Sequence, residues 1–175
     1  MNQRTDNAIE SQILGESRER IILQGRAQFM QACESMAQQA QHQLDLFTYD
    51  LDKPLYDQNG FLDALKHLAI ASRGICVRVL LQDSERARRE GHRLVDLSRR
   101  LTSKIEIRRP HPDYIDHPEN FIIADRMGYI RRRVAERYEG EAYFYHPIEA
   151  KLLTEFFNEV WERSEQDSTL RRLYL

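Results

Sequence analysis

The segment that constrains the fold most is residues 75–81, because every side chain in it except Arg78 is apolar. A short run of this kind that follows Gly74 is typical of a β-strand. Its nearly continuous apolarity indicates burial on both faces, as in strands that are covered on each side. Helices must therefore pack on both sides of the sheet to which this strand belongs.

Helical and strand periodicities alternate along the rest of the chain. The apolar spacing predicts helices over residues 29–42, 61–73 and 84–101, the last capped by Asp83 or Ser84, and a final helix from Pro147 past Trp161. Further strands are predicted over residues 20–25, 43–49, 104–109, 120–125, 129–134 and 142–145, with turns at residues 126–128 and 139–140. This order predicts an α/β fold with a mixed, largely parallel sheet.

The length of 175 residues and the 41% of hydrophobic side chains fit one domain. We expect a flexible N-terminal tail over residues 1–18, the α/β domain over residues 19–165 and a C-terminal tail over residues 166–175. Cys33 and Cys76 lie in apolar patterns without metal-ligand spacing, which predicts buried thiols in a reducing compartment. Residues 1–15 lack a signal-peptide pattern, and no apolar run approaches the roughly 20 residues that span a bilayer. We therefore expect a cytoplasmic protein without membrane contact.

Charge is unevenly distributed, although the formal net charge is only −2. Residues 73–137 contain 16 Lys or Arg against 10 Asp or Glu, whereas the rest of the chain contains 10 against 18. A basic middle segment permits an anionic partner, but such runs more often form solvated helix faces. The predicted third helix contains six arginines, Arg86, Arg88, Arg89, Arg93, Arg99 and Arg100. Acids interleave with them, which argues against nucleic acid as a partner, although binding of nucleic acid stays an open alternative.

Residues 117–125 carry the most informative chemistry: His117, Pro118, Glu119, Asn120, four apolar residues and Asp125. This pattern resembles the active-site strand of the phospholipase D superfamily, which has the order His, any residue, Lys, four mostly apolar residues, Asp. Two further segments are similar to that superfamily, namely residues 69–80 and the final helix with Phe156, Phe157 and Trp161. The resemblance covers residues 21–164 and implies one half-domain of the phospholipase D fold, with a homodimer as the implied assembly.

The resemblance also indicates what the site lacks. In the superfamily one His attacks phosphorus, a second His protonates the leaving oxygen, and Lys and Asn side chains hold the phosphoryl oxygens. Here Pro118 stands at the His position and Asn120 at the Lys position, and no Gly-Ser-x-Asn segment begins at Gly128. We therefore expect a catalytically degenerate domain, without a cofactor, that acts as an anion-binding or protein-interaction module.

The expected ligand surface consists of four polar residues, Asn120, Asp125, Arg131 and Arg133, and two acids are expected near it at strand ends, Asp50 and Asp83. Arginine suits bidentate contact with phosphate or carboxylate, and two more arginines could extend the surface, Arg126 and Arg137. Alternatively, the arginines could form structural ion pairs with the acids that lie close to them in sequence, Asp125, Glu136, Glu139 and Glu141.

Two further hypotheses involve His117. A bulge at Pro118 would bring His117 to the nucleophile position and give a divergent phosphodiesterase or nuclease that acts with Asn120. A set of imidazoles and carboxylates would also suit a divalent transition metal; this set is His111, Asp113, Asp116 and His117.

Overall fold

In the part of the chain that the structure describes, eight strands form one sheet. The computed structural model describes the backbone of residues 3–171 and the side chains of residues 7–170. The strands are β1 (Ile21–Gln24), β2 (Leu44–Thr48), β3 (Val77–Leu81), β4 (Ile105–Arg109), β5 (Asn120–Ala124), β6 (Gly128–Arg132), β7 (Glu139–Tyr143) and β8 (Glu165–Gln166). Their order across the sheet is β1-β7-β6-β5-β2-β3-β4-β8.

The sheet is mixed, as the sequence predicts. β2, β3 and β4 pair in parallel, and the other pairs among the described strands are antiparallel. Parallel neighbours need a long crossover, and helices supply it between β2 and β3 and between β3 and β4. β5, β6 and β7 follow one another through short connections instead, so the sheet contains fewer parallel pairs than we expected.

Helices cover both faces of the sheet, which confirms the prediction from residues 75–81. They are α1 (Gln3–Glu10), α2 (Arg26–Gln39), α3 (Lys53–Tyr56), α4 (Asn59–Ala71), α5 (Glu85–Glu90), α6 (Arg93–Arg100), α7 (Pro147–Glu162) and α8 (Ser168–Arg171), with a 3-10 turn at Pro112–Tyr114. α1, α2, α4 and α6 contribute to the core on one face, where Phe29 and Leu65 are buried. α7 covers the other face with Phe157 and Val160. Of the helices described, none is long and apolar enough to cross a membrane.

The single polar residue in residues 75–81 has a specific partner on the α7 side. Arg78 donates two hydrogen bonds to the carboxylate of Asp45 on β2, at 2.7 and 2.8 Å, and a third to Asn158 Oδ1 on α7 at 2.9 Å. Its guanidinium also lies 4.8 Å from the centroid of the Phe157 ring. Because Asp45 is only 1% exposed, this pair is a buried link between β2, β3 and α7.

Two predicted elements are wrong in detail. The helix predicted over residues 84–101 is two helices, α5 and α6, because Gly91 has a φ of 72° and ends the first of them. A left-handed φ favours glycine. His92 is the N-cap residue of α6, and its Nδ1 accepts a hydrogen bond from the Leu94 backbone N–H at 3.2 Å. The turn predicted at residues 139–140 is also wrong, since both residues belong to β7.

The segments that we expected to be tails contain regular structure. In the N-terminal segment Ile9 is fully buried, and the Leu14 backbone N–H donates to Gln39 Oε1 at 2.8 Å. In the C-terminal segment β8 pairs with β4, and Leu170 is 5% exposed. The burial predicted for the two thiols is confirmed, and both cysteines are free.

Candidate functional site

β5, the strand of the expected site, lies between β2 and β6. Its side chains alternate, so Phe121 faces α7 whereas Asn120 and Ile122 face the core that includes α2. Asn120 is 2% exposed, and its Oδ1 accepts a hydrogen bond from the Tyr49 backbone N–H at 3.0 Å. Its Nδ2 is buried without a hydrogen-bond partner among the described residues. The side chain of Asn120, which we expected on the ligand surface, therefore holds the end of β2.

Arg132 lies opposite Asn120 in the β5–β6 ladder, on the same face of the sheet. It is 3% exposed, and its Nη1 donates to Asp52 Oδ2 at 3.2 Å. The hydroxyl of Tyr138 donates to the same oxygen at 2.8 Å, and the Tyr138 ring centroid lies 5.0 Å from the guanidinium. A positive charge is thus present beside Asn120, but the partly buried carboxylate of Asp52 neutralises it.

His117 lies on the α7 side of the sheet, away from Asn120. Its ring centroid is 4.7 Å from that of Phe156 on α7 and 5.1 Å from that of Phe47 on β2. Burial lowers the pKa of His117, and the opposing effect of the Glu119 carboxylate is smaller. Pro118 is exposed. The bulge that would bring His117 beside Asn120 is not formed, and the two side chains do not face a common cleft.

Asp125 lies at the opposite end of β5 from Asn120. It has a φ of 51°, and its carboxylate accepts hydrogen bonds from the backbone N–H groups of Gln41, His42 and Gln43 at 2.8, 2.8 and 2.9 Å. These bonds tie the β5–β6 turn to the loop between α2 and β2. The structure therefore does not bring Asp125 together with the other expected ligand residues.

Arg131 faces α7 and is held by two acids. Its Nη1 donates to Glu149 Oε1 at 2.8 Å and its Nη2 to Glu141 Oε1 at 3.0 Å, and the side chain is 11% exposed. Glu141 also accepts from Arg20 Nε at 2.8 Å. Burial acts to raise the pKa of Glu141, but the hydrogen bonds from Arg131 and Arg20 outweigh it and hold that pKa below its ordinary value. Arg131 thus takes part in structural ion pairs, the alternative that the neighbouring acids suggested.

Arg133 is the one exposed member of the expected ligand set. Its side chain is 67% exposed, and the nearest carboxylate that pairs with it, on Glu119, is 3.8 Å away. Arg133 and the exposed Arg137 line a cavity of about 270 Å³ beside the β1 edge of the sheet. The other lining residues are Arg20, Ile22, Val134, Glu139, Gly140 and Glu141.

The acids expected near the ligand surface have local partners. Asp50 Oδ2 accepts from Arg86 Nη1 at 3.2 Å, and Asp83 Oδ1 accepts from the Glu85 backbone N–H at 2.9 Å. Most arginines of α5 and α6 are likewise paired with acids: Arg86 with Asp50 and Glu90, Arg88 with Glu85, Arg93 with Asp57, and Arg99 with Asp96. These pairs give the two helices a mixed surface rather than a basic one.

The residues considered for a metal do not converge. Asp113 Oδ2 accepts from Arg163 Nη2 at 2.6 Å, whereas His117 packs against Phe156. Within the described part of the chain, no three His, Cys, Asp or Glu side chains are placed to hold a metal ion.

The Arg132–Asp52 pair was not predicted from the sequence. Alternation in β6 places Arg132 on the same face as Ile130, and a charged residue on a buried face requires a partner. The sequence therefore indicated that Arg132 needs an acidic partner. The partner could not be identified from the sequence because Asp52 is 80 residues away and lies in the loop after β2.

Comparison with known families gives one match. The model of a family described as "Domain of unknown function (DUF7931)" matches residues 25–173. A comparison with curated protein sequences gave no match.

Solved structures with a similar fold include three proteins. TrmBL2, an archaeal chromatin protein whose structure shows a novel mode of DNA binding, has a TM-score of 0.59 and 19% identity over 94% of this chain and 59% of that chain. Nuc from Salmonella typhimurium, a phospholipase D family member, has a TM-score of 0.51 and 17% identity over 77% of this chain and 87% of that chain. NucT from Helicobacter pylori has a TM-score of 0.56 and 10% identity over 85% of this chain and 98% of that chain. This chain thus spans less than two thirds of TrmBL2, and at these identities the likeness shows a phospholipase-D-like fold alone.

Proposed function

The chain belongs to the DUF7931 family, and we propose that it acts as a noncatalytic, phospholipase-D-like module that binds an anionic group of a partner through the arginine surface around Arg133. The observation that carries the proposal is the Arg132–Asp52 pair, which is buried beside Asn120. The space beside Asn120, where the resemblance would place a phosphate-binding Lys, is thus filled by an arginine and an aspartate that form an ion pair with each other.

The groups that phosphoryl chemistry requires are not assembled at this end of β5. Such chemistry needs a nucleophile, together with positive donors aimed at the developing charge. Pro118 has no reactive side chain, and Asn120 uses its carbonyl oxygen on the Tyr49 backbone. The charge of Arg132 is neutralised by Asp52, and His117 packs on the other side of the sheet. This arrangement supports a domain that has the phospholipase-D-like fold but does not catalyse phosphodiester hydrolysis.

The surface around Arg133 offers what an anion needs. Guanidinium groups form planar, paired hydrogen bonds with phosphate or carboxylate, and Arg133 and Arg137 present theirs to solvent at one cavity. Of the two acids that line the cavity, Glu141 is already paired with Arg20 and Arg131. The other, the exposed Glu139, leaves a single carboxylate against the two guanidinium groups of Arg133 and Arg137. The cavity therefore favours an anionic group, carried by a protein, a nucleotide or a nucleic acid.

An activity assay tests the noncatalytic half of the proposal. The purified chain is expected to hydrolyse neither bis(p-nitrophenyl) phosphate nor single-stranded DNA above the blank, beside an active phospholipase D enzyme as positive control. The variant His117→Ala should give the same background. Hydrolysis by the unaltered chain that disappears in His117→Ala would overturn the proposal and support the phosphodiesterase alternative.

Calorimetric titration tests the binding half, with inorganic phosphate, a nucleotide and a short single-stranded DNA as probes. TrmBL2 makes DNA a reasonable probe because its fold is similar. We expect the double variant Arg133→Ala, Arg137→Ala to weaken binding about tenfold, since two charge-assisted contacts are lost. Arg89→Ala is the matched control, because Arg89 is 69% exposed on α5, away from the cavity. If no probe binds, the anion surface is wrong.

A further inference from the structure

A groove between α4 and α6 combines an apolar floor with a cationic rim, and we infer that it binds an amphipathic anion, that is, an aliphatic chain that ends in a carboxylate. The groove has a volume of about 470 Å³. Its floor is formed by Ala69, Ile70, Leu97 and Leu101, and its rim by Lys66, Arg100 and Lys104. It involves different elements from the Arg133 surface and stands independently of the function proposed above.

The spacing of residues along both helices builds the groove. Ala69 and Ile70 follow Lys66 by three and four positions, which places them beside Lys66 on α4. The same spacing relates Leu97, Arg100 and Leu101 at the end of α6. Ile70 is 84% exposed, the highest value among the large apolar side chains described. An aliphatic ligand that covered Ile70 would remove its surface from water, which is favourable in proportion to the area covered.

Two of the three rim charges, Arg100 and Lys104, are held in place by backbone carbonyls without an acidic partner among the described residues. Lys104 Nζ donates to the backbone carbonyl of Ser72, and Arg100 Nε donates to that of Asp96 at 3.4 Å. Among the described residues no carboxylate lines the groove, and Lys66 pairs with the exposed Asp63 at 2.9 Å. In the described part of the chain, neither Arg100 nor Lys104 forms an ion pair with an acid. The potential over the apolar floor is therefore positive, which attracts an anionic head group and repels a cationic one.

The shape of the groove favours a single chain over a lipid bilayer. Membrane-surface binding uses a broad apolar helix face that sinks into the interface. Here the exposed apolar surface is small, because Ala69 and Leu97 are buried and Ile70 is the one strongly exposed apolar side chain among the described lining residues. The volume of the groove falls in the range of small-molecule sites. A ligand of this kind would place its chain along Ile70 and Leu101 and its carboxylate near Arg100 and Lys104.

Titration with decanoate, followed by calorimetry and by amide chemical shifts, tests the assignment. We expect saturable binding with shifts confined to α4 and α6, and no saturable binding of decylamine, which has the same chain and the opposite charge. Ile70→Gln and Arg100→Gln should each weaken decanoate binding about fivefold or more, equivalent to roughly 1 kcal/mol. Ile70→Gln alters an exposed position and should fold normally. Lys151→Gln is the control, since Lys151 is 75% exposed on α7.

Four results would overturn the assignment. One is the absence of saturable decanoate binding, and another is equal binding of decylamine, which would show that charge plays no part. A third is an Arg100→Gln variant with a lower melting temperature but unchanged decanoate affinity, which would show that Arg100 stabilises the end of α6 and does not bind the carboxylate. The fourth is binding to vesicles of anionic phospholipid without binding to decanoate.

Discussion

Arg132 and Asn120 face each other across the β5–β6 ladder, 3% and 2% exposed respectively, with Asp52 as the acid that balances the arginine. The variant Asn120→Lys would bury a second cation beside the first. We expect this variant to lose about 3 kcal/mol of unfolding free energy, measured by urea denaturation. Pro118→His, a change at an exposed position, should cost less than about 1 kcal/mol. Equal stability of the two variants would contradict this account of the site.

Asp125 should be important for stability rather than for binding. Asp125→Ala removes the acceptor for three backbone N–H groups and leaves alanine with a positive φ, so we expect a loss of about 2–4 kcal/mol in urea unfolding. Asp125→Asn keeps one acceptor oxygen and tolerates that φ, and it should lose clearly less. Both variants should bind anions as the unaltered chain does. Reduced anion binding by a folded Asp125→Asn would return this residue to the ligand surface.

The buried pair of Asp45 and Arg78 predicts an asymmetry between single and double variants. Asp45→Ala leaves the guanidinium buried without its carboxylate and should destabilise the protein by about 3–5 kcal/mol. The double variant Asp45→Leu, Arg78→Met should recover a large part of that loss, because no uncompensated charge remains. Lys66→Ala breaks an exposed ion pair and should cost less than about 1 kcal/mol. Additive losses in the Asp45 and Arg78 variants would show that the two residues do not act as a pair.

Stability should fall on the acid side of neutrality. Burial lowers the pKa of His117 and of His92 below the ordinary value of about 6.5. Between the lowered and the ordinary pKa, the unfolded chain binds protons that the folded protein does not. The contribution of these two uncharged histidines to the free energy of unfolding is therefore fully present above about pH 6.5. It is lost as the pH falls through the pKa values that the histidines have in the folded protein.

The variant His117→Phe isolates one of the two groups. It keeps an aromatic ring between Phe156 and Phe47, and we expect a smaller loss of urea stability between neutral and mildly acidic pH than in the unaltered chain. The remaining slope is expected from His92. An unchanged pH dependence in His117→Phe would mean that His117 is solvated in solution.

The Cys33 thiol should be inert in the folded protein. Burial raises the pKa of Cys33 to about 12, and the nearby Arg132 only partly opposes this effect. Iodoacetamide at mildly alkaline pH should therefore leave Cys33 unmodified in the native protein and modify it in urea, as read by peptide mass mapping. Modification of native Cys33 at the rate of a free thiol would show that the core around Arg132 opens.

The fold was predictable because its signals are local. The apolar run over residues 75–81, the stripe of α7 and the turn after Asp125 each follow from the periodicity or turn chemistry of a few consecutive residues. The split between α5 and α6 was missed, although Gly91 was a sufficient signal for it. The turn between β5 and β6 was predicted, but the antiparallel pairing of β7 with β6 and β1 was not, because pairing direction depends on which strand each meets in the sheet.

The site was less predictable because its determinants are distant in sequence. The alternation of β6 correctly separated Arg131 from Arg132, but it gave no partner for either. Glu141 and Glu149 neutralise Arg131 from β7 and α7, and Asp52 reaches Arg132 from the loop after β2. The sequence pattern could therefore name the candidate cations but could not say which of them remain available to a ligand.

The position of α7 in the chain has a consequence for biosynthesis. α7 follows every strand of the sheet except β8, yet it covers the face on which Phe47, Leu80 and Phe121 lie. During translation these side chains leave the ribosome well before the helix that buries them. β1 likewise leaves the ribosome well before β7, the strand with which it pairs. The nascent chain therefore exposes one apolar face of its sheet until residues 147–162 have been made, which makes a stalled or truncated product a substrate for chaperones and proteases.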